Sequence, residues 1–132
     1  LVVVAILIVI AAMGLPQLTS GVRLHRLQGS ASMISGKLTE ARINALKRNR
    51  ATWLLIDAVA GTVQVQTAGA GGVAVPIGEP GLLSEGVTFA AAPAQVDYDA
   101  MGRTTAVQTI QVAAGDATRT VTVRLTGAAT IN

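Results

Sequence analysis

From Leu1 to Ile10 the chain reads LVVVAILIVI, with no polar position, and the first charge comes only at Arg23. A helix that is apolar on every side must be covered by lipid or by other helices. Beyond this run the pattern becomes periodic. Leu24, Leu27, Ala31, Ile34, Leu38, Ala41 and Ala45 recur at alternating intervals of three and four, which marks one face of an α-helix. Arg23, Arg26, Gln28, Ser32, Lys37, Glu40, Arg42 and Lys47 take the other side. Pro16 can bend a helix without ending it. Residues 1–49 therefore read as one continuous helix of about 70 Å. Its first part (1–21), which begins apolar all round, reads as a transmembrane or filament-core segment and its second (22–50) is amphipathic.

Around Asn49 the period falls from 3.6 to 2, and the remaining residues (51–132) read as strands. Ala51 to Asp57 and Thr62 to Thr67 form a first pair, with Val63 and Val65 on one face and Gln64 and Gln66 on the other. Ala68 to Gly72 reads as a flexible loop. Val73 to Ile77 is at best a short strand, because Pro76 cannot donate to a ladder. Gly78 to Gly81 reads as a turn. Val87 to Ala91 and Gln95 to Asp99 are short strands. Thr104 to Ala114 and Thr118 to Thr126 make a longer hairpin across Gly115-Asp116, with Val121, Val123 and Leu125 facing inward. Ala128 to Asn132 is a last edge strand. The expected class is α+β: a long N-terminal helix whose amphipathic half packs on an antiparallel sheet, with Trp53 in the core against it.

Composition narrows the chemistry. Ten Lys and Arg against seven Asp and Glu leave a net charge of +3, too mild to imply nucleic acid. Trp53, Phe89 and Tyr98 are the only aromatics, which is too few for a base-stacking platform. Without cysteine there is no disulfide, thiolate nucleophile or Cys-type zinc site. His25 is the only histidine, so no His cluster exists, and a solvated side chain is expected there. No Ser/His/Asp set or paired carboxylates stand out, and neither catalytic residues nor a cofactor are expected.

The apolar start has two readings. Leu1 to Leu15 spans about 22 Å as helix, short of a hydrocarbon core of about 30 Å. It suits the hydrophobic region of a cleavable signal, with Ala12-Met13-Gly14 as a small-x-small site. It also suits the end of a longer span whose beginning lies upstream. Leu1, Val2, Val3, Val4, Ile6, Leu7, Ile8, Val9 and Ile10 together favour insertion by roughly 3 to 5 kcal/mol. The helical pattern that follows without interruption supports the second reading. Gly14 and Gly21, either side of Pro16, mark a stretch where the helix can loosen. Arg23 and Arg26, just beyond the span, run against the positive-inside rule if the rest of the chain is periplasmic.

An apolar helix start, a proline at its exit, an amphipathic continuation and a C-terminal β domain together resemble the type IV pilins and type II secretion pseudopilins. Ala41-Arg-Ile-Asn-Ala-Leu-Lys-Arg-Asn-Arg50 is similar to the helix end of GspH/FimT-like minor pseudopilins. Tyr98-Asp-Ala-Met-Gly-Arg103 resembles their Phe-x-Pro-x-Gly-Arg turn, with Ala100 in the place of the proline, and Arg119 to Val123 with Gly127 resembles their final hairpin. In the family the apolar run follows a short leader and a Phe-Thr-Leu-Ile-Glu-Leu-type motif. Restoring about six residues would lengthen the span to about 31 Å, close to bilayer thickness. The resemblance implies a subunit held in the bacterial inner membrane by Leu1–Ile10 and Pro16, with its β domain in the periplasm, until it joins a filament. It implies other pilin or pseudopilin subunits as partners, secreted cargo as a further one, and methylation as a processing step. The loops 68–72, 78–81 and 99–103 would make the contacts.

Two alternatives belong to other classes. Arg42, Lys47, Arg48 and Arg50 are the densest basic cluster and could contact a polyanion, which would make the protein a filament-tip subunit for DNA uptake. The same residues are equally what the C-terminal end of a helix dipole favours. Relatives that bind DNA carry arginines just after the position of Gly127, whereas this chain ends Ala-Ala-Thr-Ile-Asn132. A signal-anchored periplasmic enzyme is the other alternative, and it lacks a visible catalytic set. Asp97, Asp99 and Asp116 could suggest a calcium site, but Asp also favours turns and no EF-hand spacing is present, so no metal is expected.

Overall fold

The computed structural model describes residues 1–132, apart from the side chains of residues 14–18. The bend expected at Pro16, and the roles given to Gly14 and Leu15, lie outside the described residues. A single helix, α1, runs from Val2 to Arg48. It ends where the period changes. Asn49 adopts the left-handed conformation (φ 50°, ψ 43°), its N–H returns to the carbonyl of Ala45, and Lys47 and Arg48 complement the dipole in the last turn. Eight strands follow: β1 Thr52–Asp57, β2 Thr62–Ala68, β3 Ala74–Leu82, β4 Thr88–Ala91, β5 Gln95–Tyr98, β6 Gln108–Ala114, β7 Ala117–Val123 and β8 Ala129–Ile131.

The strands form two four-stranded sheets, ordered β3-β2-β1-β5 and β4-β6-β7-β8, where the sequence pattern suggested one. Every described pairing is antiparallel. The C-terminal half of α1 lies against both sheets and closes a shared core. Leu27, Ala31, Ile34, Leu38, Ala41 and Ala45 are all fully buried, as their spacing requires. Val63, Val65, Val121 and Val123 meet them from the sheets. Leu24 shares the helical spacing but is exposed.

Three further expectations change. Trp53 does not pack against α1. The β1 residues that face the helix are Thr52, Leu54 and Ile56, while Trp53 and Leu55 point to the opposite side. Both sets contain large apolar residues, so local alternation cannot choose between them. The register with β2 does, by placing Leu54 opposite Val65 and Ile56 opposite Val63. Second, β3 continues through the segment read as a turn. Its pairing with β2 jumps from Val65↔Ile77 to Val63↔Gly81, so residues 78–80 form a bulge inside a strand. The edge position tolerates Pro76 and Pro80, and Gly78 (φ 66°) supplies the left-handed residue. Gln64 donates from Nε2 to the Ile77 and Gly78 carbonyls at 3.1 and 3.3 Å, satisfying the bulged backbone. Third, β6 begins at Gln108 rather than Thr104, and β7 ends at Val123, which leaves Leu125 exposed in the turn before β8.

Candidate functional site

Two features stand out on α1: an uncovered apolar stem, and a joint that locks the stem to the β domain. From Leu1 to Met13 the stem is exposed throughout, with Ile6 the least exposed of its large side chains at 54%. A contiguous aliphatic surface of this kind marks an interaction site. No part of the β domain reaches it, so its nonpolar area is available only to something outside the chain. Among the described residues no helix is long and apolar enough to cross a membrane.

Where the stem meets the β domain, polar groups fasten it. Arg26 donates from Nη1 to the Glu85 carbonyl at 3.4 Å, and the Arg23 side chain lies across Gly115 in the β6–β7 turn. These two arginines, which the sequence places just past the apolar span, thus fold onto the β domain and line a hollow of about 420 Å³. Lower down, the Ser84 N–H donates to the buried Ser30 Oγ at 3.0 Å. Lys37 reaches the Glu79 carbonyl at 2.8 Å and pairs with Glu40 at 3.0 Å. Arg119 of β7 donates from Nε to Gln28 Oε1 at 3.2 Å. Gly81 lets β3 come close to the helix, since a Cβ there would collide with Met33 Sδ.

The tightest contact gathers residues distant in sequence. Asp99 Oδ1 accepts the Met101 and Arg103 N–H groups, both at 2.9 Å, and shapes the 99–103 turn. At its tip, Gly102 (φ 70°) sits against Arg42 and Leu46 of α1, where a Cβ would lie 3.1 and 3.0 Å from their Cγ atoms. Gly127 (φ 84°) fills the last gap, and a Cβ on it would overlap the Gly102 carbonyl and press on Arg42. Tyr98, the one fully buried aromatic, points its hydroxyl at the Gly127 carbonyl at 3.5 Å. Burial pushes its pKa up to about 12, with the positive charge of Arg42 opposing in part. Arg42 Nε and Gln108 Oε1 are buried side-chain atoms without a partner among the described residues. In the 99–103 loop Gly102 is buried against the helix, while Asp99, Met101 and Arg103 remain exposed.

The basic residues divide between two surfaces. Arg48 and Arg50 share a hollow of about 310 Å³ beside the end of β2, and Arg50 donates to the Ala68 carbonyl at 3.5 Å. Lys47 is exposed on the last turn of α1. Arg42 stands apart at the Gly102–Gly127 joint, in a hollow that Arg103 also lines. His25 is exposed on the helix. Asp99 shapes its turn, Asp97 accepts from Gln95 at 2.7 Å, and Asp116 is exposed in the β6–β7 turn. Among the described residues no three His, Cys, Asp or Glu side chains are grouped to hold a metal.

Known structures share this arrangement of helix and sheets. The type IV minor pilin FimU of Pseudomonas aeruginosa superposes with a TM-score of 0.68 at 18% identity, over 82% of this chain and 89% of FimU. The minor pseudopilin EpsH of the type 2 secretion system of Vibrio cholerae superposes with a TM-score of 0.67 at 15% identity, over 81% and 96% of the two chains. The chain has the minor pilin fold. No family model matches its sequence, and no curated protein matches it significantly. In this pilin-type fold the Tyr98–Arg103 turn and Gly127, which carried the resemblance in sequence as separate short motifs, form one joint.

Proposed function

We propose that this protein is a minor pilin or minor pseudopilin, a structural subunit of a bacterial envelope filament in a type IV pilus or a type II secretion pseudopilus. The observation that carries the reading is a single helix with two surfaces. Its first part offers only aliphatic side chains to its surroundings, and its second part is sealed into a β domain of minor pilin fold. Such a stem is soluble in a bilayer or in a bundle of like helices, and in neither case does the β domain need to rearrange. On this reading the subunit is held in the inner membrane before assembly, with its β domain on the periplasmic side, and the uncovered aliphatic surface supports a place in lipid. After assembly Val3, Leu7 and Ile10 pack against neighbouring stems.

The partners on this reading are other pilin or pseudopilin subunits. Chemistry is not part of the mechanism, because assembly exchanges lipid-covered aliphatic area for helix-covered area. The basic residues lie on separate surfaces, so duplex DNA capture has no observation of its own in its favour.

The test is Leu7→Asp in cells that assemble the filament. The variant is expected to leave the membrane fraction and to be absent from sheared filaments, while its β domain remains folded. Normal fractionation and incorporation would refute the reading.

A further inference from the structure

We infer that the outer face of the first sheet, around Trp53, is a binding site for a neutral saccharide whose pyranose rings carry equatorial hydroxyls. The site is independent of the apolar stem and of the filament reading. It lies on the face of β1 turned away from the helix, in a depression of about 620 Å³ that Trp53, Leu55, Gln66, Gln95, Asp97 and Asp99 help to line. Sites for small ligands commonly measure a few hundred Å³ and combine apolar walls with a few fixed polar groups.

The register builds the site. Trp53 stands between Gln66 of β2 and Asp97 of β5, and Leu55 stands between Gln64 and Gln95. An indole is an expensive side chain to leave partly exposed on a sheet, and this chain has only one. The ring is held in place, since Nε1 donates to Gln66 Oε1 at 3.0 Å. With that N–H satisfied, the indole presents a ligand with its hydrocarbon surface. The carboxylate of Asp97 is fixed in the same way by Gln95 Nε2 at 2.7 Å, and its other oxygen has no partner among the described residues. Side chains held by their neighbours on a rigid sheet lose little freedom when a ligand arrives.

The mixture of groups selects the ligand class. No Lys or Arg lines the depression, whereas Asp97 and Asp99 do. Phosphates, uronates and nucleic acids are therefore repelled. A purely apolar partner would bury the Asp97 carboxylate without compensation, which is costly. A saccharide meets both demands. Its axial C–H bonds stack on the electron-rich face of the indole, and its hydroxyls donate to the carboxylate and exchange hydrogen bonds with the glutamine amides. β-1,4-linked glucose and N-acetylglucosamine have the flattest C–H faces, because all their ring substituents are equatorial.

Trp53 is the chain's single tryptophan, so its fluorescence reports on this site alone. The full chain, held in micelles of a detergent without a sugar headgroup, would be titrated with cellotetraose and with tri-N-acetylchitotriose. The expected result is a saturable change in emission, half-complete between about 0.1 and 10 mM, as suits a shallow site. Asp97→Asn, at an exposed position, should leave the far-ultraviolet circular dichroism unchanged and weaken binding about tenfold, the value of a hydrogen bond to a charged acceptor. Absence of a saturable change with either sugar up to about 50 mM would overturn the proposal, since that concentration is far above the expected range. So would equal affinity in Asp97→Asn. A response to octalysine in place of the sugars would assign the face to a basic peptide and refute the saccharide reading.

Discussion

The two ends of α1 share one backbone and obey opposite rules. Between Leu1 and Met13 large aliphatic side chains project in every direction and all are exposed; between Leu27 and Ala45 one apolar stripe is completely covered, and outside it Ile43 is exposed among mostly polar neighbours. The first end has no polar face because nothing in this chain sets an inside and an outside for it. The second has a stripe because two sheets occupy one side and water the other. Periodicity in a helix therefore records where the chain packs on itself, and its absence records a surface that the chain leaves uncovered.

Exchanging damage between the two ends is the direct way to break this comparison. Leu7→Asp should have the largest effect, an all-or-none loss of membrane retention and filament incorporation. The substitution costs about 3 to 4 kcal/mol on the insertion scale, yet the unfolding midpoint of the β domain should not move. Leu38→Ala should do the reverse. It opens a cavity between helix and sheets worth about 2 to 5 kcal/mol, read as a lower urea midpoint, with fractionation unchanged.

The joint between the two ends gives two smaller effects. Gly127→Ala forces a side chain into a left-handed backbone against the Gly102 carbonyl. It should cost about 1 to 3 kcal/mol from backbone strain before the collision is counted, measurable by the same denaturation curve. Tyr98 adds a pH dependence. Its pKa is raised to about 12 in the folded protein from about 10 when unfolded. The unfolded chain therefore loses the proton first. Stability is fully present below pH 10 and falls between pH 10 and about 12, by an amount on the order of 2 kcal/mol. Tyr98 is the only tyrosine, so its ultraviolet titration follows the group directly, and Tyr98→Phe should abolish the alkaline loss. Smallest of all is Leu24→Ser, within about 0.5 kcal/mol, because that side chain is already exposed in the folded protein. A large effect there would move the boundary between the two ends.

The helix was readable because its signals are local. The three-four spacing, the change of period at Asn49 and the alternation of Val63/Val65 and Val121/Val123 each need only a few consecutive residues. The α+β class followed from their order, and the resemblance of the short motifs to those of minor pseudopilins implied the pilin-like arrangement. What escaped depends on pairing across distance. Thr52 to Asp57 is apolar on both faces over Trp53 to Ile56, so β2 alone could reveal that Trp53 points outward. The bulge in β3 looks like a plain turn until Val63 is found opposite Gly81. The joint of Arg42, Gly102 and Gly127 brings together three segments that local patterns treat separately. Its sequence trace was the two glycines, each needing a positive φ, which a pattern of apolar and polar positions does not record.

The helix cap has a mechanical corollary. Only residues 49–51 separate the end of α1 from β1, and the helix runs back along the β domain before that point. A pull on the stem is therefore resisted along the whole length of its seat. Leu27, Ile34 and Leu38 bear the load in shear, all together, before the short link to β1 can be drawn tight. A handle mounted this way fails by sliding as one piece, which demands far more force than peeling from one end.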